Sequence, residues 1–356
     1  MLIIDFSASE ADILSIISNR DNPTWTIPVF DFIRLWMDDS IDQFTVQTSG
    51  STGAPKLIQH SRAAMTASAE RTCDFFGLKQ GDKALLALPA THIGGKMMIV
   101  RSIVRGMKLF CAEPKSNPLA QLDFNKEIEF AAFTPMQMSM IMDETISRAK
   151  LSQIRKIILG GGEVSYPLRQ RLQSIKASVY ETYGMTETVS HIALRKINGD
   201  AKSDHFTLLD GVKIATDDRG CLVIDAPHLS KERLITNDMV NIISEKEFHW
   251  LGRYDNVINT GGIKVSAEEI ERKLQPYVNL NFFIAGMPDD ILGQHVAMIV
   301  ETAKARETLQ QQYADVLSIY PGKYEKPKEI LTIEKFSYTE NGKVNKKETL
   351  ARLNRQ

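Results

Sequence analysis

Thr48-Ser49-Gly50-Ser51-Thr52-Gly53-Ala54-Pro55-Lys56 follows a β-like run, Phe44-Thr45-Val46. The tract combines four hydroxyls, two glycines and a lysine. Glycine lets backbone N–H groups turn toward an anion, hydroxyls add donors and the lysine adds charge. Taken alone it could be a polar surface turn. It is not a Walker A loop, because the Gly-Lys-Ser/Thr triplet is missing and Pro55 interrupts it.

Outward from this tract, segments of helical period alternate with short apolar runs, the signature of an α/β protein. Ser61 to Phe76 reads as a helix ended by Gly77, and Lys83 to Leu88 as a buried strand. Ile154 to Leu159 is a second strand, running into Gly160-Gly161-Gly162-Glu163. Pro167 opens a helix to about Ile175, with Ser165 as its cap. Lys213-Ile214 and Cys221 to Ile224 flank Asp217-Asp218-Arg219-Gly220, a hairpin pattern. Ser266 with Glu269 forms a capping box for a helix ending before Pro276. Met136, Met138, Met140 and Met142 recur at every second residue and are read as packing. After Trp250-Leu251-Gly252-Arg253 the character changes. The expected division is a large α/β domain over residues 1–254 and a small α/β domain over 255–356.

Composition narrows the functional classes. Hydrophobic residues make up 43% and charged residues 24%, a globular balance. A net charge of −1 lacks the basic excess of a nucleic-acid binder, so no nucleic-acid partner is expected. The segment from Pro321 to Gln356 carries nine Lys/Arg against five Glu, a solvated face or a lobe that meets a polyanion. Cys73, Cys111 and Cys221 form no CxxC pair, which fits a reduced cytoplasmic protein. The apolar tract from Met97 to Phe110 is broken by Arg101, Arg105 and Lys108, so no membrane span is expected.

Further motifs follow the first in order: Tyr183-Gly184-Met185-Thr186-Glu187, Thr236-Asn237-Asp238, and Gly252-Arg253-Tyr254-Asp255. Gly261-Gly262, Glu268-Glu269-Ile270-Glu271 and Gly342-Lys343 complete the series. With Thr48 to Lys56 they resemble the motifs of the ANL superfamily of adenylate-forming enzymes, which includes acyl-CoA synthetases. The resemblance implies a carboxylate joined to ATP as acyl-AMP with loss of pyrophosphate, then displacement of AMP by CoA. It implies ATP, Mg²⁺ and CoA as ligands and leaves room for a homodimer.

Residue by residue, it implies that Thr48, Ser49, Gly50, Ser51, Thr52, Gly53 and Lys56 bind phosphate. Gly162 and Glu163 wall the adenine pocket, and Tyr183, Gly184 and Met185 hold adenine. Thr186 meets the α-phosphate and Glu187 the magnesium. Asp238 takes the ribose hydroxyls with Arg253 as a second clamp. Lys343 is the catalytic lysine, swung in about a hinge at Asp255, and Gly261-Gly262 lies on the CoA face. Bringing two anions together requires cations, donors and a metal, so each residue type suits its place. In isolation Thr186-Glu187 reads as a helix start, Asp238 and Arg253 as surface ion pairs, and Lys343 as a solvent-exposed lysine.

Three features depart from the pattern. Asn237 stands where the family has glycine, a place where Asn tolerates unusual backbone angles. Phe336-Ser337-Tyr338-Thr339 lacks the usual Pro-Arg-Thr. Only 47 residues precede Thr48, so a shortened N-terminal region is expected. Leu88 to Gly95, Thr134-Pro135-Met136-Gln137 and Tyr183 to Ser190 resemble the o-succinylbenzoate–CoA ligase branch. That places His92, Gly94, Gly95, Lys96, Ser190 and His191 at the acyl group, with His92 as a gate. Aryl or medium-chain acids, or a silent ligand-binding homologue, are the alternatives.

Overall fold

The structure is a computed structural model that describes residues 2–47, 57–122, 127–230, 232–319, 322, 324–338 and 344–353. The chain divides into two compact units. The first holds residues 1–213, 225–234 and 245–247, and the second holds 214–224, 235–244 and 248–356.

The first unit begins with β1 (Leu2–Asp5), α1 (Glu10–Ser18), α2 (Ile27–Met37), β2 (Gln43–Gln47), β3 (Leu57–Ser61) and α3 (Arg62–Phe76). It continues through β4 (Lys83–Leu86), α4 (Ile93–Arg105), β5 (Lys108–Cys111), β6 (Ile128–Phe133), α5 (Pro135–Asp143) and α6 (Thr145–Lys150). β7 (Ile154–Leu159), α7 (Tyr166–Leu172), β8 (Ser178–Gly184), β9 (His191–Lys196) and β10 (Phe206–Leu208) complete it. The sheet order is β1-β5-β4-β6-β7-β8-β9-β10. β5, β4, β6, β7 and β8 are parallel neighbours, while β1 and β9 pair antiparallel.

Parallel strands are covered on both faces and read as apolar runs. Alternate residues of β4 serve the two cores. Ala84 and Leu86 join α1 to α4 on one face, and Leu85 joins α5 to α7 on the other. From β4 the chain goes to β5 on one side and then returns to β6 on the other. That reversal opens a crevice at the carboxyl ends of β4 and β6, where ligands of open α/β sheets bind.

Local chemistry sets the element ends. Ser61 caps α3 by accepting from Ala64 N, and Gly77 closes it at φ 59°. β7 spans the expected residues, whereas β4 stops at Leu86. α7 is capped by Ser165 and ends at Leu172, shorter than expected. The methionine reading needs correction. Met138 and Met142 are buried, but Met136 and Met140 are about half exposed, because α5 turns every second residue to a different face.

The second unit contains β11 (Lys213–Thr216), β12 (Cys221–Asp225), β13 (Leu234–Ser244) and β14 (Glu247–Arg253), ordered β14-β13-β12-β11. The β11–β12 turn is closed by Gly220 N donating to Asp217 O. Beyond it lie β15 (Val257–Thr260), β16 (Ile263–Ser266), α8 (Ala267–Leu274), β17 (Phe282–Asp289) and β18 (Gly293–Glu301). α9 (Arg306–Gln312), α10 (Ala314–Ile319), β19 (Glu329–Ile333) and α11 (Lys346–Leu353) follow. Ser266 caps α8 by accepting from Glu269 N. Among the described residues no helix is long and apolar enough to cross a membrane.

Gly95 is dictated by the fold. A Cβ there would overlap the Pro89 carbonyl, and one on Gly94 would stand 3.1 Å from Leu88. These glycines therefore admit the preceding loop. Gly95→Ala should destabilise the first unit by about 1–3 kcal/mol, the cost of overpacking. An unchanged denaturant midpoint would contradict this packing.

Candidate active site

In the first unit the expected site residues cluster on loops beyond the carboxyl ends of the parallel strands. His92 is exposed at the N-cap of α4. Gly162 and Glu163 follow β7, Gly184 ends β8, and Met185 to Ser190 follow it. Thr48 to Lys56 connect β2 to β3, whose last pair is Gln47↔Leu57, and lie outside the described residues. Lys343 also lies outside them.

A buried carboxylate fixes the β7–α7 loop. Glu181 on β8 bonds Arg195 at 2.8 Å and Arg169 at 2.9 Å, and accepts from Val164 N at 3.1 Å. Gly162 and Glu163 thus hang beside a buried carboxylate held by two guanidiniums. Gln137 performs a similar service at the crevice. Its capping box with Thr134 starts α5, and its amide donates to Ala87 O and Lys115 O.

The segment after β8 is held tightly. A bulge lies between Tyr183 and Gly184, and the Tyr183 ring sits 5.7 Å from that of Phe206. Thr186–Thr188 forms a short 3₁₀ turn that leaves Glu187 exposed. Ser190 N then donates to Thr188 O at 2.6 Å across Val189, whose φ of 65° and ψ of −58° form a left-handed γ-turn. This conformation is strained for a β-branched residue. It delivers Ser190 Oγ to the Arg101 guanidinium at 2.7 Å.

Arg101 is 2% exposed. Its other contact is Met98 Sδ at 3.8 Å, and its Nε has no partner. Among the described residues no carboxylate pairs with it. Burial draws its pKa down to about 10. His191 bonds Thr72 Oγ1 at 3.1 Å and is held well below the usual imidazole range, first by burial and then by Arg101. His60 on β3 bonds the Thr186 backbone, and burial lowers its pKa; its Nε2 is buried without a partner. Lys96 donates to Thr45 O at 3.1 Å and lies 5.5 Å from the Phe32 ring centroid.

Arg101, His60 and Glu181 escaped the sequence reading. Only the charges interrupting the apolar tract from Met97 to Phe110 hinted at Arg101.

The second unit gathers its own set. Asp238 Oδ1 accepts from Trp250 Nε1 at 3.3 Å and lies 3.8 Å from Arg253. Thr236 Oγ1 accepts from Asp238 N. Asn237 needs no unusual backbone angle, since it lies within extended β13. Its side chain accepts from Arg219 and donates to Asp255, which also pairs with Arg253 at 3.1 Å. Gly261 and Gly262, at φ 60° and 84°, turn β15 into β16, the pattern of a tight primed hairpin.

The sequence pattern of the AMP-binding enzyme family matches residues 44–225, just over half of the chain, and the chain belongs to that family. AMP-forming acyl-CoA synthetases are among its members. An acyl-CoA synthetase (AMP-forming)/AMP-acid ligase II-like protein from Dyadobacter fermentans is 34% identical, with TM-score 0.65 over 95% of this chain and 98% of that one. The 2-succinylbenzoate–CoA ligase of Bacillus cereus is 24% identical over 95% of this chain and 78% of its own. The o-succinylbenzoate coenzyme A synthetase of Bacillus subtilis, solved with ATP and magnesium ion, is 21% identical. Its TM-score is 0.69 over 86% of this chain and 69% of that one.

Glu181→Ala would strand two guanidiniums, one of them buried. Losing one partner of a buried ion pair costs about 3–5 kcal/mol. Denaturant unfolding should register a loss of that size, and a loss under about 1 kcal/mol, as for an exposed pair, would show that Glu181 is not the anchor.

Proposed function

We propose that this protein activates o-succinylbenzoate with ATP and transfers the acyl group to CoA, a step of menaquinone synthesis. The observation that carries the choice of acid is Arg101. A buried guanidinium without a counter-ion is costly. A substrate bearing a second carboxylate would neutralise it, and Ser190 already points a hydroxyl at the same group. His191, held neutral, can donate or accept beside it. A plain alkyl or aryl acid would leave Arg101 unpaired.

Within this reading Thr48 to Lys56 hold the triphosphate, Tyr183 faces adenine, and Asp238 with Arg253 takes the ribose. Glu187 is a single exposed carboxylate, and no cluster of three or more His, Cys, Asp or Glu among the described residues could hold a resident metal. That donor set fits Mg²⁺ arriving with ATP, since Mg²⁺ keeps waters and takes few protein carboxylates. Bound there, it would spread the charge of the phosphates. Residues 255–356 act as the mobile part, pivoting at Asp255 and bringing Lys343 to the carboxylate and α-phosphate. Gly261-Gly262 belongs to the face offered to CoA.

Removing one charge-stabilising donor costs about 10²–10³-fold. Lys343→Ala should lose that much in pyrophosphate release while forming thioester from supplied acyl-AMP. Equal losses in both half-reactions would sink the role given to Lys343.

The substrate test compares kcat/KM for o-succinylbenzoate and for 4-oxo-4-phenylbutanoate, the same acid without its ring carboxylate. A site built to pair a polar group rejects the analogue lacking it by up to about 10⁴–10⁵-fold. Arg101→Met should abolish the preference with little loss on the analogue. A wild-type preference for the analogue, or for octanoate, would move the assignment to a general acyl-CoA ligase. Absence of AMP and pyrophosphate from every acid would leave a silent binding homologue.

A further inference from the structure

Within the second unit a largely buried polar chain leads from the expected hinge to the helix that follows Lys343. Glu268 and Glu271 lie one turn apart on α8, with side chains 8% and 12% exposed. Asn256 donates its side-chain amide to Glu268 Oε1. Gly252, at φ 144°, lies so close that a Cβ would stand 2.5 Å from Glu268 Oε2 and 2.7 Å from Ser266 Oγ. Glu268 therefore holds Asn256, one residue past Asp255, through Oε1, and its Oε2, buried without a partner, leaves no room for a side chain at residue 252. On its other side Lys346 Nζ lies 3.9 Å from Glu268 Oε1 and 2.7 Å from Glu271 Oε1.

Glu271 Oε1 also accepts from Ile284 N of β17 at 2.8 Å, and Lys346 lies 5.6 Å from the Phe283 ring centroid. Burial pushes the Glu271 carboxyl up to about 7 against the pull of Lys346. Lys346 opens α11, three residues beyond Lys343. The far side of the same segment is tied as well. Asn345 N donates to Ser337 O at 2.8 Å, Tyr338 bridges Val344, and the Tyr338 hydroxyl donates to Glu301.

A lone surface ion pair would do little. Here the carboxylates are buried, share hydrogen bonds and join elements far apart in sequence. A catalytic group must be held within about 0.5 Å of its productive position by supporting contacts.

We propose that Glu268, Glu271 and Lys346 are positioning residues, forming a strut that ties the start of α11, three residues beyond Lys343 in the chain, to Asn256 beside the expected hinge. The strut touches neither substrate nor reacting atoms and acts only through Lys343. The inference rests on the roles proposed above for Lys343 and Asp255.

The test measures the two half-reactions separately in the full-length protein for Lys346→Met, Lys346→Arg, Glu271→Gln, Lys343→Ala and the Lys343→Ala/Lys346→Met double variant. A misplacement of about 1 Å can cost 10²-fold. Lys346→Met should lose about that much in kcat for adenylation, with KM for ATP and thioester formation from acyl-AMP little changed. Lys346→Arg should restore most of the loss. The double variant should be no slower than Lys343→Ala, since both act through one group. Multiplicative losses, equal damage to both half-reactions, or unimpaired adenylation in Lys346→Met would overturn the strut. Should Lys346→Met fail to fold, Glu271→Gln keeps the shape and the Ile284 contact and must give the same split. Lys343→Ala with intact adenylation would instead overturn the role of Lys343 itself, a result separable from any effect at Lys346.

Discussion

Parallel strands cannot be joined by tight turns, so each must return through a crossover that covers a face of the sheet. In the first unit this constraint sends the carboxyl ends of β5, β4, β6, β7 and β8 to one edge. The reversal at β4 parts two neighbouring loops there. Several residues expected of the first unit's site hang on that edge: His92 after β4, Gly162 after β7, Thr186 and Glu187 after β8. The two apolar layers supply rigidity, and the loops supply chemistry.

Loops at such an edge need anchors, because backbone groups outside a ladder must find partners elsewhere. Glu181 and Gln137 are those anchors. Each reaches from a regular element to a loop separated from it by many residues. The second unit solves a similar problem with Asp238 and Glu268, acidic groups that collect an indole, an amide or an ammonium. Buried carboxylates recur as the fastening device, although Glu268 finds its donor on only one of its two oxygens.

What the sequence disclosed was local. The caps at Ser61, Ser165 and Ser266, the stop at Gly77 and the apolar run of β7 depend on neighbours within a few residues, and their patterns are visible in one line of text. The family motifs were legible for a different reason, since a fixed order of residue types carries information that spacing alone does not. Arg101 was not legible as part of the site. Its partner Ser190 lies 89 positions away, and within α4 the arginine looks like a break in an apolar stripe. Gly94 and Gly95 are accounted for by the chain itself, since Leu88 and Pro89 fill the space beside them. The methionines were read together as packing, whereas Thr134 and Pro135 start a helix there that turns Met136 and Met140 outward. Asn237 was read as a backbone accommodation and acts through its side chain.

Val189 has a consequence for any attempt to improve this protein. A β-branched residue held in a left-handed γ-turn costs on the order of 1–3 kcal/mol and persists only because its surroundings leave no other choice. The same side chain is fully buried, so glycine there would relax the backbone while leaving a void. The two effects oppose each other and are of similar size, and directed evolution for thermal tolerance would be nearly blind to the exchange. The relaxed turn would no longer hold the Ser190 hydroxyl against Arg101. On the role proposed for Arg101, heat resistance would then report nothing about discrimination among acids, and a library sorted on survival alone would drift toward permissive enzymes.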